Sequence, residues 1–73
     1  MKANAVEILT ATERKILKLV AMGDTNSEVA AKIGLAPRTV ETYRLRLMRK
    51  LEIQNLANLV RYAIRHGIIP LED

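Results

Sequence analysis

The sequence predicts an all-α fold, a bundle of four short helices built around a central helix-turn-helix. Three observations lead there. Apolar residues recur at three- and four-residue spacings in four separate segments, the pattern of a helix with one buried face. Each of the three glycines, Gly23, Gly34 and Gly67, follows such a segment, where a residue without a Cβ closes a helix most easily. No alternating apolar stretch reads as a strand, and no repeat or low-complexity segment interrupts the pattern.

Seventy-three residues make a single domain near the lower limit for a self-sufficient core. There is no Trp or Phe and only two Tyr, so the core must come from Leu, Ile, Val, Ala and Met. The domain is expected over residues 8–69. Residues 1–7 read as a flexible lead or linker end, and residues 70–73 as a C-terminal tail.

Taken in order, Ile8 and Leu9 are expected to fold back onto the core. Thr10-Ala11-Thr12-Glu13 has capping-box spacing, in which hydroxyl and carboxylate each satisfy the other residue's backbone N–H. The helix that follows buries Ile16, Leu17 and Val20 and stops at Gly23. A second capping box, Thr25-Asn26-Ser27-Glu28, opens a short helix with Val29, Ala30 and Ile33 inward, closed by Gly34. A tight turn leads to Pro37, which suits the first position of a helix because its missing N–H would be unpaired there anyway. Short helix, glycine turn and longer cationic helix form the helix-turn-helix unit.

The third helix is expected over residues 37–51. Val40, Leu47, Met48 and Leu51 share its inner face. Thr42, Leu45, Arg46 and Arg49 share the outer one, with Arg38 and Arg44 on the flanks. Asn55 is a suitable N-cap for a fourth helix over residues 55–66, whose apolar stripe is Leu59, Val60, Ala63 and Ile64. Ile68 and Ile69 are expected to pack back before Pro70.

Composition narrows the function. With no cysteine there is no disulfide, thiolate metal site or thiol nucleophile, and the single histidine, His66, cannot form a zinc site alone. No Gly-rich phosphate loop or carboxylate cluster is present, so neither an enzyme nor a bound cofactor or metal is expected. No apolar run approaches the roughly 18 residues needed to span a bilayer, and no signal peptide is evident. Membrane association is not expected, and a cytoplasmic location is the default.

Charge is unevenly placed. Residues 37–65 carry seven cations against two anions, whereas residues 1–36 carry five against four. This asymmetry points to a polyanion, and a helix fits the major groove of B-DNA, about 12 Å wide. On the third helix Arg46 can take guanine O6 and N7, while the Thr42 methyl or Leu45 can meet a thymine methyl. Glu41 can accept from a cytosine amino group or simply repel phosphate. Arg38, Thr39, Arg44, Arg49 and Lys50 are placed to hold phosphates. Asn26 and Ser27, at the start of the second helix, can add phosphate contacts or serve as caps. Thr39 can instead bond within its own helix. On the fourth helix Asn58, Tyr62 and Arg65 lie off the buried stripe and can meet a symmetry mate.

These residues together resemble the LuxR-type DNA-binding domain, also called the GerE or NarL/FixJ output domain. The matching positions begin with Leu9-Thr10, Glu13-Arg14, Gly23, Thr25-Asn26-Ser27-Glu28-Val29-Ala30 and Thr39-Val40. They continue through Lys50-Leu51, Leu59-Val60, Ala63 and Gly67-Ile68-Ile69. The resemblance covers residues 8–69 and implies a four-helix bundle whose third helix enters the major groove and whose fourth dimerises. It implies a transcriptional regulator, the output domain of a response regulator in a two-component system. A two-fold protein is expected on inverted half-sites, and with so small a core the homodimer is expected to be weak in isolation. The resemblance also implies an upstream sensory or receiver domain if the chain is part of a longer regulator.

Several positions depart from the family pattern. Ala36 replaces a frequent Ser, which removes an N-cap hydroxyl at a cost of about 1 kcal/mol. Glu52 stands where a helix-ending Gly is common, and a left-handed Glu there costs roughly 1–2 kcal/mol. Ser27, Glu41, Tyr43 and Leu45 replace a frequent cation, Lys, His and Lys. The alternative reading is a helix-turn-helix protein-interaction module that docks on RNA polymerase or another regulator. The scarcity of aromatic anchors on the third helix argues against it.

Overall fold

The computed structural model describes residues 8–70. Within them the order is α1 (Ala11–Ala21), α2 (Asn26–Ile33), α3 (Pro37–Lys50) and α4 (Leu56–Arg65), and all regular structure is helical. The expected lead, residues 1–7, and residues 71–73 of the expected tail lie outside the described residues.

Both capping boxes form. Thr10 Oγ1 accepts from Glu13 N at 3.1 Å, and Glu13 Oε1 accepts from Thr10 N at 2.8 Å. Thr25 and Glu28 repeat the arrangement at 3.2 and 2.9 Å. Asn55 caps α4 through Asn58 N at 2.9 Å. Ala36 offers α3 no side-chain cap, and Pro37 alone marks its start.

All four helices end with the same long bond. Asp24 N reaches back to Leu19 O, Leu35 N to Ala30 O, Ile53 N to Met48 O and Ile68 N to Ala63 O, at 3.0, 3.1, 2.9 and 2.8 Å. Each is the long bond of a Schellman motif, which needs a left-handed residue just before the donor. Gly23, Gly34 and Gly67 supply that residue behind α1, α2 and α4. Behind α3 it is Glu52, at φ 57°, the single non-glycine with positive φ among the described residues.

The main core gathers Ile16, Leu17 and Val20 of α1, Val29 of α2, Val40 and Leu47 of α3 and Leu59 of α4, each at most 1% exposed. Leu9 folds over it as expected, but Ile8 does not and is 49% exposed. A satellite cluster of Ala21, Ala63 and Ile69 joins the far end of α1 to α4, with Val60, Ile64 and Ile68 packed around it. α1 packs against each of the other three helices, and α2 packs most closely on α3. The core-facing side of α3 is thereby fixed by two neighbours, and its other side is left to solvent. No helix among the described residues is long and apolar enough to cross a membrane.

Candidate nucleic-acid interface

α3 buries Val40 and Leu47 completely, and the helical period then decides what faces outward. Arg38, Thr42, Leu45 and Arg49 follow one another at four-, three- and four-residue steps along the face opposite the core, and all are exposed. Arg46 and Glu41 flank that ridge and are also exposed. Arg38 thus sits on the ridge, where the sequence had placed it on a flank. Arg44 turns toward α2 and is half-buried.

Local contacts fix how several of these side chains are presented. The Thr42 hydroxyl donates to Arg38 O at 3.2 Å, the i−4 back-bond of a helical threonine. The within-helix bond considered for Thr39 is therefore made by Thr42, and Thr39 is exposed. The Arg46 guanidinium lies 5.9 Å from the centroid of the Tyr43 ring, a cation–π distance. Tyr43 itself is half-buried against the core, so it holds Arg46 on the outer surface.

The N-terminus of α2 approaches the same face. Thr25, not Asn26 or Ser27, is its cap. The capping box satisfies the N–H groups of Thr25 and Glu28, which leaves those of Asn26 and Ser27 unused within the helix. Asn26 Oδ1 accepts from Arg44 Nη1 at 3.3 Å, which ties α2 to α3 and leaves the amide NH2 of Asn26 as a donor. Ser27 is exposed. A shallow groove between the two helices is lined by Asn26, Pro37, Arg38, Glu41, Thr42 and Leu45.

Lys50, expected among the phosphate-holding residues, is engaged inside the protein. Its Nζ lies 2.7 Å from Glu13 Oε1 and 3.5 Å from Ile8 O. Glu13 is 2% exposed. Burial raises its pKa, but the Lys50 hydrogen bond, the Thr10 backbone N–H and hydroxyl, and the Lys50 charge together outweigh burial, so its carboxyl sits below the ordinary value. The physical reason is simple: a buried carboxylate needs a cation, and the end of α3 supplies one. This pairing has a signal in the sequence, because Glu13 shares the i, i+3, i+4, i+7 stripe of Ile16, Leu17 and Val20. The two ion pairs among the described residues are Lys50–Glu13 and Lys32–Asp24, so Arg38, Arg46 and Arg49 have no anionic partner there.

On α4, Asn58 and Arg65 are exposed, as expected of residues off the buried stripe. Tyr62 differs. It packs against the main core, its hydroxyl is buried without a hydrogen-bond partner among the described residues, and its ring lies 4.1 Å from that of His66. Burial raises the pKa of the phenol. Helix geometry accounts for the difference, since position 62 lies one turn before His66 and next to Leu59 and Ala63. Tyr62, Asn58 and Arg65 still share one shallow groove with Arg61, Asn55 and Glu52. No group of three or more potential metal-binding side chains gathers among the described residues.

Residues 7–63 match the family model described as bacterial regulatory proteins, luxR family. The chain belongs to the LuxR family. It is 46% identical over 61 residues to the transcriptional regulatory protein MctR of Rhizobium johnstonii, covering 84% of this chain and 28% of that protein. With the transcriptional regulatory protein FixJ of Azorhizobium caulinodans it shares 38% over 65 residues, or 89% of this chain and 31% of the relative. The crystal structure of full-length FixJ from B. japonicum superposes with a TM-score of 0.81 at 33% identity, over 90% of this chain and 32% of that one. This LuxR-family domain therefore spans about a third of the length of the relatives it matches. It is a DNA-binding transcriptional regulator domain of a family of bacterial regulatory proteins, with the four-helix fold that the resemblance implied.

Proposed function

We propose that this domain reads double-stranded DNA with α3 in the major groove and pairs through α4 on inverted half-sites. The observation that carries the reading is the outer face of α3. It bears three arginines, Arg38, Arg46 and Arg49, with no anionic partner among the described residues, around a short apolar step, on a helix packed against the core on its other side. Arg46 is assigned to guanine O6 and N7, and Thr42 and Leu45 to base edges. Glu41 stands beside them as an acceptor for a cytosine amino group or as a barrier to phosphate. Arg38, Thr39, Arg44 and Arg49 take phosphates, with Asn26 and Ser27 adding donors from the start of α2. Lys50 is left out of this set because Glu13 holds it.

Asn58 and Arg65 are the proposed contacts to the symmetry mate, with Tyr62 forming the wall behind them. α4 leaves Leu56 44% exposed but buries most of its apolar stripe within the monomer. Little apolar surface remains for a partner, which favours a homodimer that is weak until DNA brings two copies together. A cytoplasmic location, control by an upstream receiver or sensory domain, and contact with RNA polymerase belong to the same proposal for the longer regulator.

The test is binding of fluorescent duplexes at several salt concentrations. Three phosphate-holding cations per subunit, Arg38, Arg44 and Arg49, give log K against log salt a slope of about −3 per subunit. A slope near −1, or no binding at low salt, would overturn DNA reading and favour the protein-docking alternative. For that alternative the exposed Leu45, at 61%, is the one apolar anchor on the cationic face.

A further inference from the structure

We infer that Thr42 and Leu45 form a paired methyl reader that selects two neighbouring thymines, with the Thr42 hydroxyl taking no part in recognition. This rests on the proposed groove-reading role of α3 and specifies what its centre recognises.

Three observations carry it. First, Thr42 is a threonine whose hydroxyl is already committed. Its Oγ1 donates to Arg38 O at 3.2 Å, and back-bonding of this kind aims the hydroxyl along the helix. The methyl is the remaining group on that Cβ, on a residue exposed to solvent. Second, Leu45 is 61% exposed, with no packing role that would explain an isobutyl group there. Third, the two stand three residues apart on the same ridge, about 4.5 Å along the helix axis. Successive bases in a strand of B-DNA are stacked about 3.4 Å apart. A helix crossing the groove can therefore bring one side chain to each of two adjacent base edges.

Their surroundings favour an apolar contact over a hydrogen-bonded one. Arg38 and Arg49 stand one turn to either side of the pair, in reach of phosphates on both margins of the contact. The wall of the adjacent groove carries Glu41 and Pro37, which donate no side-chain hydrogen bond, and its two donors, Asn26 and Arg38, are the ones assigned to phosphates. In the major groove the feature that marks thymine apart from all other bases is its C5 methyl, and aliphatic side chains recognise it by contact alone. Glu41 disfavours a third phosphate contact beside the pair, so the helix is held to its base-facing orientation.

The experiment is site selection from random duplexes by the 73-residue chain, followed by replacing each thymine of the selected site with deoxyuridine. Uracil keeps every hydrogen-bonding group and loses only the methyl. Two adjacent positions should each lose about fourfold in affinity, the worth of one buried methyl. Thr42→Val keeps the methyl and removes the hydroxyl, and it should retain sensitivity at both positions. Thr42→Ser does the reverse and should abolish sensitivity at one of them. Leu45→Gln should abolish it at the other. Both side chains are exposed, and helicity measured by circular dichroism separates loss of recognition from loss of fold. Specific binding with less than twofold sensitivity to uracil everywhere would overturn the methyl reader and leave groove reading intact. If Thr42→Ser behaved as wild type while Thr42→Val lost the preference, the hydroxyl would be the reader and the inference wrong. Absence of salt-sensitive binding to any duplex would instead defeat the underlying functional proposal.

Discussion

The Lys50 ammonium lies 2.7 Å from a Glu13 carboxylate oxygen, so the last residue of α3 is bound to the first turn of α1. Glu13 is buried and Lys50 is 38% exposed at its side chain, so the pair stands at the boundary of core and solvent. The same oxygen accepts the Thr10 N–H. One carboxylate thus closes α1, neutralises itself against α3 and fixes the angle between the two helices.

Stability should depend on pH through this carboxylate. Its folded pKa lies below the ordinary value, so the unfolded chain takes up the proton first as pH falls. The stability it contributes is fully present above the unfolded Glu value, and it is lost as pH drops from there through the lowered folded value. Glu13→Gln should cost about 1–3 kcal/mol near neutrality, because it leaves Lys50 without its anion and weakens the cap. The variant should also show a flatter acid limb. Thermal melts of both proteins between neutral pH and about pH 3 measure this, and parallel acid limbs would refute it.

Glu52→Gly should stabilise the domain. Glu52 adopts φ 57° to complete the Schellman motif behind α3, and its Cβ makes that conformation costly. Glycine removes the strain but gives the unfolded chain more freedom, so the net gain is about 0.5–1 kcal/mol. For a domain of this size the melting temperature should rise by about 3–6 °C. A lower melting temperature would mean that the Glu52 side chain makes a contact worth more than the strain.

Arg46→Ala and Arg49→Ala should weaken DNA binding in different ways. Arg46, assigned to a guanine, should cost about 1–3 kcal/mol on the selected site and relax the preference at one base pair. Arg49, assigned to phosphate, should weaken all duplexes alike and lower the salt slope by about 1. Selection profiles and salt titrations of the two variants distinguish them. Identical profiles would show that both arginines act on the backbone.

Tyr62→Phe should leave the domain as stable or more so, by up to about 1 kcal/mol. Its hydroxyl is buried without a partner among the described residues, so removing it relieves a desolvated polar group. Chemical denaturation measures the change. A loss above 1 kcal/mol would show that the hydroxyl has a partner, such as an ordered water.

The four helices and their stops were legible because each carries a local signature. The two capping boxes, Pro37 and the Asn55 cap act within four residues, and the apolar stripes repeat within one helix. What lay beyond the sequence was contact between distant segments. Lys50 looked like one more cation on a basic helix, and only the docking of α1 on α3 turns it toward Glu13. Asn26 reads as a cap or a phosphate donor, and neither reading shows that Arg44, eighteen residues away, takes its oxygen and leaves only its NH2 to donate. Periodicity alone also misplaced Tyr62, because a long aromatic side chain at the edge of a stripe can lean inward. Ile8 failed for the opposite reason, since one buried neighbour, Leu9, was enough to close the core at that end.

That α1 touches all three other helices has a consequence for how the chain comes off the ribosome. α1 is made first, yet Ile16, Leu17 and Val20 have no complete enclosure until Val40, Leu47 and finally Leu59 have been synthesised. Helices α2 and α3 cannot settle early as an independent pair, because their shared core runs through α1 and is closed by α4. A nascent chain stalled before Leu56 should therefore remain open to protease, and one released beyond Ile69 should be resistant. The outer face of α3 thus takes its final shape only after α4, which is made later, has closed the core.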